Sequence, residues 1–377
     1  MRPRTTARTT ARTAARTAAR TAVAPIARAP RASRVAAVLV ASGLLAALTA
    51  GCSTPGEDIT LGKDWDGAQS YVVVDIAGTE AVAGVNPLTR TAEPLALVPR
   101  HDDDDDVLAP QLVRLSGGRW VLAVPRKDGR PDRLYRLDEG SRKLVEQGDH
   151  DALHAILPGR TLVADAKGLD GARAGTEVLV KDPKRWNVQR KVQVPGALAH
   201  ASADPASDTV CLATGSPQDL TVHALELTGG KLTSRRAPSG TDVQGLACSG
   251  GKPVAAGVKA TRPDGDQPAD ATFTIAVTDA GASITADTGR IEDIQVQDGT
   301  ATVAVAVAVG ERTEIVEVDT RSGKELRRTG LKGTGALRAL RRADAGWLAY
   351  TQDAVSVVDP GTGKARTFGL PGAYVAG

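Results

Sequence analysis

The sequence predicts an all-β fold, a β-propeller of seven four-stranded blades closed by the C-terminal strand. Three observations lead there. From Tyr71 onward, short alternating apolar runs are separated by Gly, Pro, Asp and Asn, with no stretch of helical period. Seven turn segments recur at a spacing that suits one blade of ~40 to 50 residues. Each turn also has an apolar partner strand further upstream.

The turns read "GVNPLTRT" from 84, "RLDEGSRK" from 136, "VKDPKRWN" from 180, "ALELTGGK" from 224, "VTDAGASI" from 277, "EVDTRSGK" from 317 and "VVDPGTGK" from 357. Their third residues are Asn86, Asp138, Asp182, Glu226, Asp279, Asp319 and Asp359, at intervals of 52, 44, 44, 53, 40 and 40. An Asp or Asn leaving a strand accepts hydrogen bonds from backbone N–H groups two or three residues on, and a glycine supplies the positive φ that closes the hairpin. Asp319 with Gly323 and Asp359 with Gly363 carry this device in full. Glu226 and the glycine-free third turn carry it weakly.

The strand before each turn is C and the strand after it D. Strand B is then "YVVVDI" (71), "WVLAVP" (120), "TLVADA" (161), "TVCLAT" (209), "PVAAGV" (253), "ATVAVAVA" (301) and "WLAYT" (347). Strand A falls at "QLVRL" (111), "HAIL" (154), "ALAHAS" (197), "VQGLAC" (243), "IEDIQV" (291) and "ALRAL" (336), six for seven blades. The closing residues "AYVAG" are expected to supply the seventh by pairing with "YVVVDI". A ring so closed leaves only short protected edges. The whole arrangement, and "VSVVDPGTGK" at 355–364 in particular, resembles the bacterial YVTN-type and quinoprotein-like β-propellers, over nearly all of residues 70–377.

The N-terminal 51 residues read as a signal peptide. Nine arginines and no acid precede the uncharged run 35–51, "VAAVLVASGLLAALTAG", which is seventeen residues long and diluted by small side chains, against ~18 for a spanning helix. It ends in "TAGC", which resembles the lipobox of bacterial lipoproteins, with Thr49 where an aliphatic residue is commoner. That resemblance implies diacylglycerol on Cys52 and cleavage before it. Two acyl chains hold a protein firmly where one does not, so the expected location is the extracytoplasmic side of the cell membrane, lipid-anchored. Residues 52–69 read as the lipidated cysteine and a polar tether. The Arg/Thr/Ala tract "RTTARTTARTAARTAARTA" has no apolar face. With Met1 the sole methionine, it suggests a true start further on, near Val23.

Beyond the leader, 38 of the 47 basic residues remain against 44 acidic ones, a net −6 in place of the formal +3. A negative body argues against nucleic acid as a partner. The ten aromatic residues leave a core of Val, Ala and Leu. Two cysteines are left, Cys211 and Cys248, in a compartment that permits oxidation; a bridge and two buried thiols are both open. Trp120 and Trp347 occupy equivalent B positions and read as core.

The B-to-C and D-to-A connections hold the long irregular segments, on the face opposite the C-to-D turns. They collect Asp102, Asp103, Asp104, Asp105, Asp106, Asp149, Asp151, Asp264, Asp266 and Asp270, a candidate surface for a cation or a cationic partner beside the alternative of solvated loops. His150 and His154 flank Asp151 there, without the helix a metal pair needs. Catalytic motifs G-x-S-x-G, H-E-x-x-H and C-x-x-C are missing from the sequence, and "GTGKA" at 361–365 lacks the leading glycine and the Ser/Thr of a phosphate loop. No cluster of His, Glu or Arg from equivalent repeat positions is expected at the axis. The expected function is a non-catalytic binding or scaffold module of the cell envelope, monomeric and without a cofactor, whose partner is a protein or cell-wall component. The alternatives are an enzyme of the lactonase or quinoprotein-like type, which the fold resemblance implies, and an accessory lipoprotein of a transporter or sensor.

Overall fold

A computed structural model describes residues 59–377 apart from 100–108, 127–129, 151–154, 170–174, 217–218, 238–241, 261–272, 278–281, 287–289, 297–300, 310–311, 332–334 and 360. Contacts divide the chain into Met1–Cys52 and Ser53–Gly377, and every described residue belongs to the second unit. The leader, Cys52 and the expected tether up to residue 58 lie outside the described residues.

Short apolar runs of four to nine residues, broken by turn formers, yield strands, and no helix occurs among the described residues. Blade 1 holds β1 (Ser70–Ile76), β2 (Thr79–Asn86) and β3 (Thr91–Leu97). Blade 2 holds β4 (Gln111–Arg114), β5 (Trp120–Val124), β6 (Asp132–Asp138) and β7 (Lys143–His150). Blade 3 holds β8 (Ala155–Pro158), β9 (Val163–Leu169), β10 (Gly175–Lys181) and β11 (Val188–Val194). In blade 4 come β12 (Leu198–Asp204), β13 (Thr209–Ser216), β14 (Asp219–Glu226) and β15 (Leu232–Arg236). Blade 5 follows with β16 (Asp242–Ser249), β17 (Lys252–Ala260), β18 (Phe273–Val277) and β19 (Ala282–Ala286). Blade 6 contains β20 (Ile291–Val296), β21 (Thr302–Val309), β22 (Arg312–Asp319) and β23 (Glu325–Leu331). Blade 7 contains β24 (Ala339–Ala343), β25 (Gly346–Tyr350), β26 (Ala354–Val358) and β27 (Ala365–Gly369), and β28 (Ala373–Ala376) ends the chain.

Among the described residues these form seven antiparallel four-stranded sheets, ordered A-B-C-D, and β28 is strand A of blade 1. It pairs with β1 through Val74 opposite Tyr374 and Asp75 opposite Ala373, as the sequence predicts. From blade 2 to blade 7, strand A of each blade runs against strand A of the next. The A strands therefore line the axis.

The core divides into seven apolar layers, each between two neighbouring blades. Val72 and Val74 of blade 1 pack with Leu348 and Tyr350 of blade 7, while Val73 on the other face of the same strand packs with Trp120 and Leu122 of blade 2. The remaining five layers repeat the pattern around the wheel. A strand with both faces buried has a continuous apolar run, which is why the B strands read as Val/Ala/Leu blocks. Seven layers for seven blades means that no blade face is left over.

Two further findings modify the sequence reading. Strand A of blade 7 lies at Ala339–Ala343, three residues beyond "ALRAL", because Ala343 pairs with Gly346 across a two-residue turn that fixes the register. The end of the expected tether packs on blade 1: Trp65 is buried, its ring 6.3 Å from that of Tyr71, and the Gly62 N–H donates to Pro94 O at 2.7 Å. The packed body thus begins before Ser70.

Candidate functional site

The C-to-D turns set one end of the wheel. In the six described turns the residue four places after the turn's polar residue has positive φ: Arg90, Arg142, Trp186, Gly230, Gly323 and Gly363, at 62°, 54°, 57°, 73°, 70° and 67°. Asp319 accepts from the N–H groups of Arg321 and Ser322 at 2.8 and 2.9 Å, and Asp182 accepts from Lys184 and Arg185 at 2.9 and 2.8 Å. The glycine-free third turn is thus built like the others, with Trp186 taking the left-handed position. These N–H donors hold the carboxyls of Asp138, Asp182, Asp319 and Asp359 below the usual carboxylate range.

Strand A of one blade is fastened to strand A of the next by polar side chains. Gln111 Oε1 accepts the Ile156 N–H at 3.2 Å, Gln244 Oε1 accepts Ile291 at 2.8 Å, and Asp293 Oδ2 accepts Leu340 at 2.7 Å. His200 Nε2 lies 3.2 Å from Val243 O. Burial pushes the Asp293 carboxyl up from its ordinary value, against the pull of the Arg341 guanidinium at 3.6 Å and the Leu340 and Ile294 N–H groups. Short ties of this kind let the axis hold a fixed shape.

At the end of the axis where the A-to-B hairpins turn, a cavity of about 590 Å³ opens, within the ~300–1,000 Å³ of small-molecule sites. Its polar lining comes from Gln69 and Ser70 of blade 1, Arg114 and Ser116 of blade 2, Ser202 of blade 4, Gln295 of blade 6, and Arg341 and Arg342 of blade 7. No aspartate or glutamate lines it among the described residues. Arg341 is engaged by Asp293 and by the carbonyl oxygens of Leu340 and Gly377. Arg114 and Arg342 make no hydrogen bond or ion pair among the described residues, and Arg342 Nη1 is buried without a partner. The Arg342 guanidinium instead rests 5.5 Å from the centre of the Trp347 ring. Gln69 Oε1 is also buried and unpartnered.

Arg114 and Arg342 hold the same position in their blades. Arg114 pairs with Trp120 and Arg342 with Trp347 in the A-to-B register, so two arginines from equivalent positions line one cavity, where the sequence reading expects no cluster of such residues. The signal was present in the two tryptophans, already alike as B-strand starts. It was masked because the hairpin after Arg114 is one residue longer than the one after Arg342.

The opposite end, which the sequence favours for binding, shows less. There a cavity of about 400 Å³ is lined by Ala155, Gly168, Ala197, Leu198, Ala199, His200 and Ala201. Of the acidic candidates, Asp149 is held by Arg126 at 2.9 Å and Arg133 at 3.3 Å. Asp102 to Asp106, Asp151, Asp264, Asp266 and Asp270 lie outside the described residues, as do His154 and the His150 side chain. Among the described residues no three His, Cys, Asp or Glu side chains form a metal-binding group.

Three buried features serve the frame. Cys211 of blade 4 and Cys248 of blade 5 are bonded, with Cα atoms 5.4 Å apart. Lys181 and Asp165 pair inside blade 3, both almost wholly buried. His223 lies between Thr214 Oγ1 and Ser234 Oγ, each at 2.8 Å, and burial lowers its pKa. Trp120 and Trp347 are core residues, 8% and 0% exposed.

No protein-family model matches the chain, and no curated sequence is significantly similar to it. Its fold is similar to solved structures at low identity. A candidate 6-phosphogluconolactonase from Bacteroides fragilis matches with a TM-score of 0.53 and 12% identity, covering 81% of this chain and 96% of that one. Apo AztD from Citrobacter koseri matches with a TM-score of 0.46 and 12% identity, over 81% and 96%. Dihydro-heme d1 dehydrogenase NirN in complex with DHE matches with a TM-score of 0.45 and 12% identity, over 85% and 76%. Likeness at this identity shows the β-propeller fold alone.

Proposed function

We propose that this chain is a lipid-anchored, extracytoplasmic β-propeller of the bacterial cell envelope that works as a non-catalytic binding module, with the axial cavity at its turn end as the ligand site. The basic leader, the apolar run and Cys52 at the end of "TAGC" support the anchor. The observation that carries the binding reading is the pair of equivalent arginines, Arg114 and Arg342, left without ionic partners at the mouth of a closed wheel. Binding fits the lining better than turnover does, because Ser70, Ser116 and Ser202 have no His, Asp or Glu among the described lining residues to act as their base. The loop-rich end remains the side proposed for a protein or cell-wall partner.

Resemblance to lactonase-like propellers supports a second reading, an extracytoplasmic enzyme, through the fold alone. Intact mass and cell fractionation of the protein made in its bacterial host test the first reading. The expected product begins at Cys52, carries a diacylglycerol mass and sediments with membranes, and Cys52→Ser releases it. An unmodified mass with unchanged fractionation overturns the anchor, and turnover of a lactone panel overturns the non-catalytic assignment.

A further inference from the structure

We infer that the axial cavity takes a small hydroxylated oxyanion, its carboxylate or phosphate group held by Arg342 and Arg114 and a hydroxyl held by Gln69. The inference rests on reading that cavity as the ligand end. A buried donor without a partner is costly, and a charged one more so, yet Arg342 Nη1 is in that state. Its ring contact does not relieve it, since the Trp347 ring, centred 5.5 Å from the guanidinium carbon, offers no oxygen acceptor to that N–H. The ring contact thus leaves Nη1 with a donor to give, and a guanidinium with free donors grips a carboxylate or phosphate with paired bonds.

Blades 7, 1 and 2 are consecutive around the wheel, so Arg342, Gln69 and Arg114 come from three adjoining blades onto one side of the cavity. Two positive charges there have no acid among the described lining residues to neutralise them, although the body as a whole carries an excess of acids. The carboxylates of the neighbouring strands have other partners: Asp293 is committed to Arg341 and two backbone N–H groups, and Glu317 accepts from the Trp347 indole N–H. On blade 1, which follows blade 7 and precedes blade 2 in the ring, Gln69 Oε1 is a buried acceptor lacking a donor, and a hydroxyl on the ligand supplies one. A bare anion satisfies the arginines and leaves the amide oxygen wanting; a neutral polyol does the reverse.

Titration calorimetry on the purified full chain with tartrate, succinate, inorganic phosphate and neutral erythritol tests this at constant ionic strength. Tartrate is expected to bind more tightly than succinate, and erythritol not to bind. Arg114→Met, at the exposed mouth where the fold is not at stake, should weaken tartrate about tenfold or more, as should Arg342→Met, while Arg342→Lys recovers part of the loss. Phosphate binding above tartrate assigns a phosphate ester as the ligand class, and the opposite order a hydroxy acid. Unchanged tartrate affinity in both Met variants, or silence with all three anions, overturns the inference. Erythritol binding that Ser116→Trp abolishes overturns the anionic assignment while leaving the cavity as the ligand end.

Discussion

Cys211 and Cys248 are bonded across the boundary between blades 4 and 5, joining strand B of one to strand A of the next with Cα atoms 5.4 Å apart. The two residues are 37 apart in sequence, and closing a loop of that size in the unfolded chain is worth about 3–4 kcal/mol. Apolar contacts surround the bond on both sides, from Val222 and Leu246 among others. The double variant Cys211→Ala/Cys248→Ala is therefore expected to keep the fold and lose about 2–4 kcal/mol in urea denaturation. A loss under about 1 kcal/mol would show that the layer holds without the bond.

The turn geometry predicts effects of opposite sign at equivalent positions. Arg90 is exposed at φ 62° and Gly323 sits at φ 70°. A left-handed residue with a Cβ costs roughly 1–2 kcal/mol, offset partly by the extra freedom of glycine in the unfolded chain. Arg90→Gly should then stabilise by about 0.5–1 kcal/mol and Gly323→Ala destabilise by about 1 kcal/mol or more. Thermal melts of both variants check the pair, and the same sign in both would refute the shared geometry.

Acidification should loosen the body before the carboxylates protonate. Burial lowers the folded pKa of His223 below its ordinary 6.5, with Thr214 and Ser234 as its side-chain partners and no charged group contributing. His200 is lowered too, by burial, against the smaller opposing effects of Val243 O and Asp242. The unfolded chain then binds more protons than the folded one below pH 6.5, so stability present at neutral pH is lost as pH falls through that value toward the folded pKa. The depressed turn aspartates add a second loss as pH falls below 3.8. His223→Gln, which cannot titrate, should flatten the melting-temperature profile between pH 7 and 5. An unaltered slope in that variant would assign the effect elsewhere.

The body of the wheel was legible because its repeats act locally. Each B strand buries both faces and so appears as an unbroken apolar block, and each C-to-D turn repeats one hydrogen-bonding device. The closing pair of Val74 and Tyr374 was legible by arithmetic, since seven B strands had only six A strands between them. The proposed site was not legible for two reasons. Arg114 and Arg342 stand on short A strands whose hairpins differ in length, which breaks the spacing that exposed the turns. Their significance also lies in what they lack, and no string of letters records that Asp293 is spent on Arg341 while Arg342 is left with an aromatic face.

Blade 1 joins the opposite extremes of the described body, β1 and β28, in a single sheet. Contacts of such sequence separation form slowly, and this one sets an order of events. The first strand of the wheel to be synthesised belongs to the last sheet that can be finished. Until residues near 374 arrive, blade 7 and blade 1 face each other across a gap with one inner edge bare. In a growing chain the ring accordingly cannot close before β28 has joined β1.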